Sequence, residues 1–113
     1  MTDDTVTAGA APARDVVLCE CFARDGLQHE PRFVDTATKV RLIARCAALG
    51  FARVEATSYS NPEVVPQFAD ASDVLRALPR RAGVMFKATC ANMPAVRRAL
   101  VDLDAGVRAN EIS

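Results

Sequence analysis

Val16-Val17-Leu18-Cys19-Glu20-Cys21-Phe22-Ala23-Arg24-Asp25-Gly26-Leu27-Gln28-His29-Glu30 is the stretch that decides how this chain folds. The apolar run Val16 to Cys19 leads directly into Arg24, Asp25 and Gly26. A buried strand ending this way carries a cation, a carboxylate and a permissive backbone position to its C-terminal end. Active sites of α/β proteins are built at that end. Val16 to Phe22 therefore reads as the first strand, with Val16, Leu18, Glu20 and Phe22 on one face and Val17, Cys19 and Cys21 on the other. An Arg-Asp pair alone would be a weak ion pair beside a turn, so the rest of the chain has to supply the context.

Downstream, Thr36 to Leu49 has helical periodicity, with Val40, Ile43, Cys46 and Ala47 as its apolar stripe and Gly50 as its C-terminal stop. Lys39, Arg41 and Arg45 are expected in solvent. Phe51 to Thr57 reads as a second strand, Val54 and Ala56 alternating with Arg53, Glu55 and Thr57 on a polar side. A polar loop, Ser58 to Pro62, leads through Val64, Val65 and Pro66 to a helix from about Asp70 to Pro79, with Val74, Leu75 and Leu78 facing the core. Gly83 turns into a third strand, Val84 to Thr89. Asn92 then caps a helix from about Met93 to Leu103, stopped by Gly106, and Val107 to Ile112 begins a fourth strand.

Strands alternating with helices at this spacing predict βαβ units, a parallel sheet and right-handed crossovers. Three βα units and part of a fourth strand fit an open doubly wound sheet or part of a barrel equally well. Residues 1–14, rich in Thr, Ala, Asp and Gly, are expected as a disordered tail and 15–113 as the folded domain. The tail has neither the apolar core of a secretory signal nor the basic character of a mitochondrial presequence.

With 14 Lys and Arg against 14 Asp and Glu the chain is neutral and has no basic run, so it offers no electrostatic footprint for nucleic acid. No apolar run approaches the roughly 20 residues of a membrane-spanning helix, and no membrane partner is expected. Cys19, Cys21, Cys46 and Cys90 read as reduced thiols: Cys-x-Cys lacks the spacing and the second ligand pair of a zinc site. A cytoplasmic setting follows from that reading. His29, the only histidine, sits in a polar loop and is expected to be solvated.

Arg24-Asp25-Gly26-Leu27-Gln28 with Glu30 resembles the signature of the hydroxymethylglutaryl-CoA lyase family. Thr36-x-x-Lys39, Leu42-Ile43, Gly50-Phe51, Glu55-Ala56-Thr57-Ser58, Pro62, Val65-Pro66-Gln67 and Asp70 continue the resemblance in order and spacing, over roughly residues 15 to 112. It implies the N-terminal part of a TIM (β/α)8 barrel. A whole barrel takes about 250 residues and at least about 200, so this chain covers somewhat less than half of one. An open half-barrel would leave two strand edges and a sheet face uncovered.

The resemblance also implies chemistry. The family cleaves 3-hydroxy-3-methylglutaryl-CoA to acetyl-CoA and acetoacetate with a divalent cation, Mg2+ or Mn2+. By resemblance Asp25 is a metal ligand, Arg24 the catalytic arginine that stabilises enolate charge, and Gln28 a positioning hydrogen bonder. Glu20 and Glu55 match two acidic residues at strand ends, for proton transfer or for orienting Arg24. Thr57 and Ser58 would hydrogen-bond the acyl-CoA substrate or shape its loop. The family's metal-ligating His-x-His pair and its glycine- and cysteine-bearing loop have no counterpart in these residues, so the isolated chain is expected to be inactive. Cys21-Phe22-Ala23, Tyr59-Ser60-Asn61 and Lys87 depart from the family pattern at positions that border the acyl cleft. Leu27-Gln28 favours the lyase branch over the Claisen-type synthases. A related enzyme acting on another acyl-CoA remains open. So does a non-catalytic half-barrel that needs a homo-oligomer or a complementary barrel segment.

Overall fold

The computed structural model describes residues 16–113, and the tail expected over 1–14 lies outside the described residues. Four strands, β1 (Cys19–Glu20), β2 (Arg53–Ser58), β3 (Met85–Thr89) and β4 (Glu111–Ile112), form one sheet in the order β1-β2-β3-β4, and every pairing is parallel. Three helices make the crossovers: α1 (Thr36–Ala48), α2 (Ala71–Ala77) and α3 (Met93–Asp104). Sequential order with parallel direction is the opening arc of a barrel.

One face of the sheet carries the core. Ile43 and Ala47 from α1, Val74 and Leu75 from α2, and Ala95 and Ala99 from α3 close over Val54, Ala56, Phe86 and Ala88. The register aligns Glu55, Lys87 and Glu111 across the other face, where Arg53 reaches over β3 to Glu111 at 2.8 Å. That polar face corresponds to the inside of a barrel.

Local chemistry sets the helix ends. The Asp35 side chain accepts the Thr38 N–H at 3.0 Å at the start of α1, and Asn92 accepts the Ala95 N–H at 3.0 Å at the start of α3, the cap expected of it. Gly50, at φ +100°, ends α1 in a conformation that disfavours any side chain.

Four expectations are corrected. The first strand is two residues long, not seven, because Cys19 pairs with Arg53, the first residue of β2, and the residues before Cys19 have no strand beside them. Val16 and Leu18 are accordingly 69% and 66% exposed. After Cys21 the chain makes one wide helical turn, Phe22–Gly26, instead of an open loop. A Cβ on Gly26 would lie 2.9 Å from the Phe22 ring, so this tight turn suits glycine there.

The third correction concerns β2. Glu55 pairs with Lys87, but Thr57 pairs with Ala88 and Ser58 with Thr89, so a bulge interrupts the alternation. Thr57 therefore shares the helix-covered side with Ala88, and Ser58 shares the polar face with Thr89. The fourth is Lys39, expected in solvent and found 3% exposed. Its ammonium pairs with Asp70 at 2.7 Å, donates to the Gln67 carbonyl and lies 4.3 Å from the Phe33 ring centroid. Thr36 also donates to Asp70, at 2.6 Å. Arg41 and Arg45 are exposed as expected.

Candidate active site

The C-terminal ends of β1, β2 and β3 converge on one carboxylate. Arg24, in the wide turn after β1, donates from Nε to Glu55 Oε1 at 2.9 Å. Thr89, the last residue of β3, donates its hydroxyl to Glu55 Oε2. Glu55 is 5% exposed, and both its oxygens are taken by donors from neighbouring strand ends. Arg24 Nη1 donates onward to Gln28 Oε1 at 3.2 Å and lies 3.6 Å from Asp25 Oδ1.

Burial alone would raise the Glu55 carboxyl, but the Thr89 hydroxyl and the Arg24 guanidinium outweigh it and hold the group below its ordinary value. The same carboxylate raises the Arg24 guanidinium further. Cys21 feels the opposite push. Its thiol is raised to about 11 by burial, by a hydrogen bond with Glu55 and by the charges of Cys19 and Glu55, so it stays protonated at neutral pH. The cluster at neutral pH is thus an ionised Arg-Glu pair beside a protonated thiol.

Among the residues singled out from the sequence, Arg24, Gln28, Glu55 and Asp25 are brought together. Glu20 is not. Its position level with Val54 turns it to the helix side, where its charge raises the Cys46 thiol after burial, and its Oε1 accepts the Phe22 N–H at 2.9 Å. Thr57 and Ser58 are 2% and 1% exposed. The Ser58 hydroxyl is 2.6 Å from that of Ser60 and ties the loop after β2. His29 is exposed, as expected.

Asp25 offers an exposed carboxylate at the mouth, its side chain 72% accessible. Among the described residues no group of three His, Cys, Asp or Glu side chains is placed to hold a metal ion. One hard oxygen does not make a divalent-cation site, so these residues do not by themselves fit the cation the resemblance implies. The described residues also include no helix long and apolar enough to cross a membrane.

Thr89 was missed in the sequence, and Gln67 was quoted there only within the resemblance, with no role given to it. Thr89 could have been found as a hydroxyl at the very end of a predicted strand, where site residues collect. Gln67 is 4% exposed; its Oε1 accepts the Val34 N–H at 2.9 Å and its Nε2 donates to the Arg32 carbonyl at 2.9 Å. It thereby fastens the β1–α1 loop to the loop after β2. The resemblance marked the position, but nothing in the sequence signals that role.

No family model matches the chain. Curated relatives do: the mitochondrial hydroxymethylglutaryl-CoA lyase of Mus musculus is 38% identical over 96 residues, which cover 85% of this chain and 29% of that protein. The corresponding Arabidopsis thaliana enzyme is 40% identical over 85 residues, 75% of this chain and 18% of that protein. Among solved structures, the HMG-CoA lyase of Brucella melitensis superimposes with a TM-score of 0.76 at 42% identity, covering 88% of this chain and 34% of that one. An Acinetobacter baumannii HMG-CoA lyase in complex with coenzyme A and 3-methylmalate gives 0.75 at 32% identity, over 85% of this chain and 30% of that one. The chain thus spans about a third or less of the proteins it matches. Sequence and fold agree: over most of its length the chain is similar to hydroxymethylglutaryl-CoA lyases and matches the N-terminal part of their barrel.

Proposed function

We propose that these residues supply the arginine half of a carbon–carbon lyase active site, which in a whole barrel cleaves 3-hydroxy-3-methylglutaryl-CoA to acetyl-CoA and acetoacetate. The observation that carries the reading is the Arg24–Glu55 ion pair at the C-terminal mouth of the sheet. Arg24 is held by Glu55 and Gln28, yet its side chain is still 27% exposed, so its charge is fixed in place and reachable. A guanidinium held this way stabilises a carbonyl oxygen as carbon–carbon cleavage turns it into an enolate oxygen, with no reorganisation during the step.

Glu55 is better suited to aiming Arg24 than to taking a proton. Its lowered pKa and its two occupied oxygens make it a weak base. Thr57 and Ser58 enter the reading as residues that shape the loop beside the substrate. A divalent cation, Mg2+ or Mn2+, belongs to it only with ligands from beyond these residues, Asp25 contributing one oxygen. An acyl-CoA substrate is supported by the relatives' names and by the coenzyme A in one of their structures. A cytoplasmic setting rests on four free thiols alone.

The test is metal-dependent cleavage of 3-hydroxy-3-methylglutaryl-CoA by the 113-residue chain and, beside it, by a version carrying a whole barrel. Turnover in the whole barrel, lost in Arg24→Met, supports the reading; silence in both removes it. A second reading, a non-catalytic half-barrel completed by a complementary segment, is favoured by the exposed apolar side chains of α3 and β4. Leu100, Leu103 and Ile112 are 51%, 46% and 49% exposed. It predicts defined association without turnover.

A further inference from the structure

We propose that Thr89 is a positioning residue of this site: its hydroxyl locks the Glu55 carboxylate, and through it sets the direction of the Arg24 guanidinium. The inference rests on the role given to Arg24 above and adds a residue that the family signature in this sequence does not include.

A carboxylate on a three-bond side chain is a poor guide for an arginine if only one of its oxygens is held, because rotation about the terminal bond swings both oxygens. Here the two oxygens have different partners on different strands. Oε1 takes the Arg24 Nε–H at 2.9 Å, and Oε2 takes the Thr89 hydroxyl. Arg24 comes from the turn after β1 and Thr89 from the end of β3, so the plane of the carboxylate is pinned from both sides of β2. Thr89 is itself anchored. Its carbonyl accepts the Tyr59 N–H at 2.9 Å and the Ser58 hydroxyl at 3.4 Å, and its strand register is set opposite Ser58.

Removing the hydroxyl would leave a buried Oε2 without that donor, a state that costs more than the bond was worth. The carboxylate would relieve it by rotating out of its present plane toward another donor or by binding a proton. Either response loosens the single Nε contact that aims the guanidinium.

The test needs no turnover, so it stands apart from the lyase reading. Carbon-13 NMR of the carboxyl groups in the 113-residue chain follows the Glu55 titration, assigned by the loss of its signal in Glu55→Gln. Glu55 titrates below the exposed carboxylates in the unaltered chain. Thr89→Val moves its midpoint upward and speeds hydrogen exchange at Arg24 Nε by roughly fivefold, the factor one net hydrogen bond commands. Thr89→Ser, which keeps the hydroxyl and loses the methyl, leaves both near their original values. Three results overturn the proposal: a Glu55 midpoint unmoved by valine, a serine variant that behaves like valine, or a Glu55 that titrates with the exposed carboxylates from the start. In a whole barrel the valine variant lowers kcat more than it changes KM, whereas a substrate-binding hydroxyl would raise KM.

Discussion

The Lys39–Asp70 pair gives the sharpest quantitative prediction. Its two groups are 3% and 8% exposed and 2.7 Å apart. At an effective permittivity of about 20 that separation corresponds to about 6 kcal/mol of attraction. Desolvation of two ions consumes several kcal/mol of it, which leaves a pair close to neutral against a hydrophobic replacement. Removal of one partner is different, because it strands the other charge. Asp70→Asn leaves the Lys39 ammonium with the Gln67 carbonyl and the Phe33 ring. Lys39→Met leaves the Asp70 carboxylate with the Thr36 hydroxyl. Each single variant should lose about 3 kcal/mol, a fall in Tm of roughly 12–24 °C for a domain of this size. The double variant Lys39→Met with Asp70→Asn should lose about as much as either single and not twice as much, giving a coupling energy of about 3 kcal/mol. Urea unfolding followed by circular dichroism measures all four forms. Single variants that lose less than about 1 kcal/mol, or losses that simply add in the double, would refute the claim that this is a buried, mutually dependent pair.

Three further outcomes are expected. Because the folded state lowers the Glu55 pKa, its contribution is present above the ordinary value of 4.5 and is lost as pH falls through the lowered folded value; urea midpoints against pH should show this acid-side loss, and Glu55→Gln should flatten it. Cys21, raised to about 11 partly by Glu55, should alkylate slowly at neutral pH and faster in Glu55→Gln, as mass spectrometry of iodoacetamide-treated protein would report; equal rates in the two proteins would sink the assignment. Asn92→Ala removes the acceptor for the Ala95 N–H and should cost about 1 kcal/mol, seen as a lower thermal midpoint, while Asn92→Asp should cost much less.

What the sequence made legible follows a physical division. Features set by neighbours in the chain were readable: the Asn92 cap, the Gly50 and Gly106 stops, and Val74 and Leu75 of α2 with Leu78 just after it, all buried. The parallel order of strands followed from alternation, and the choice of a barrel from the resemblance. Features set by distant partners were not. The length of β1 depends on where β2 begins, 34 residues later, and the burial of Lys39 depends on an aspartate 31 residues away. At the site, Arg24, Gln28 and Glu55 were legible as a motif. That Glu20 turns to the helix side and that Thr89 joins the cluster are both consequences of register, which period-two reading of isolated strands does not contain.

The bulge in β2 makes chain length at that point heritable in an unusual way. Inserting one residue beside Ala56 would lengthen the strand while keeping its polarity almost unchanged, yet, with the bulge already taking up one extra residue, every side chain after it would exchange faces. Ser58 would turn under the helices, and Tyr59, whose hydroxyl donates to Asp102 on α3 at 2.6 Å, would swing away from its anchor. The loop beyond, at Asn61 to Val64, is exposed and can lose or gain residues at little cost. Descendants of this chain should therefore gain residues a few positions past the site and not within the strand itself: two neighbouring segments have opposite freedom to lengthen.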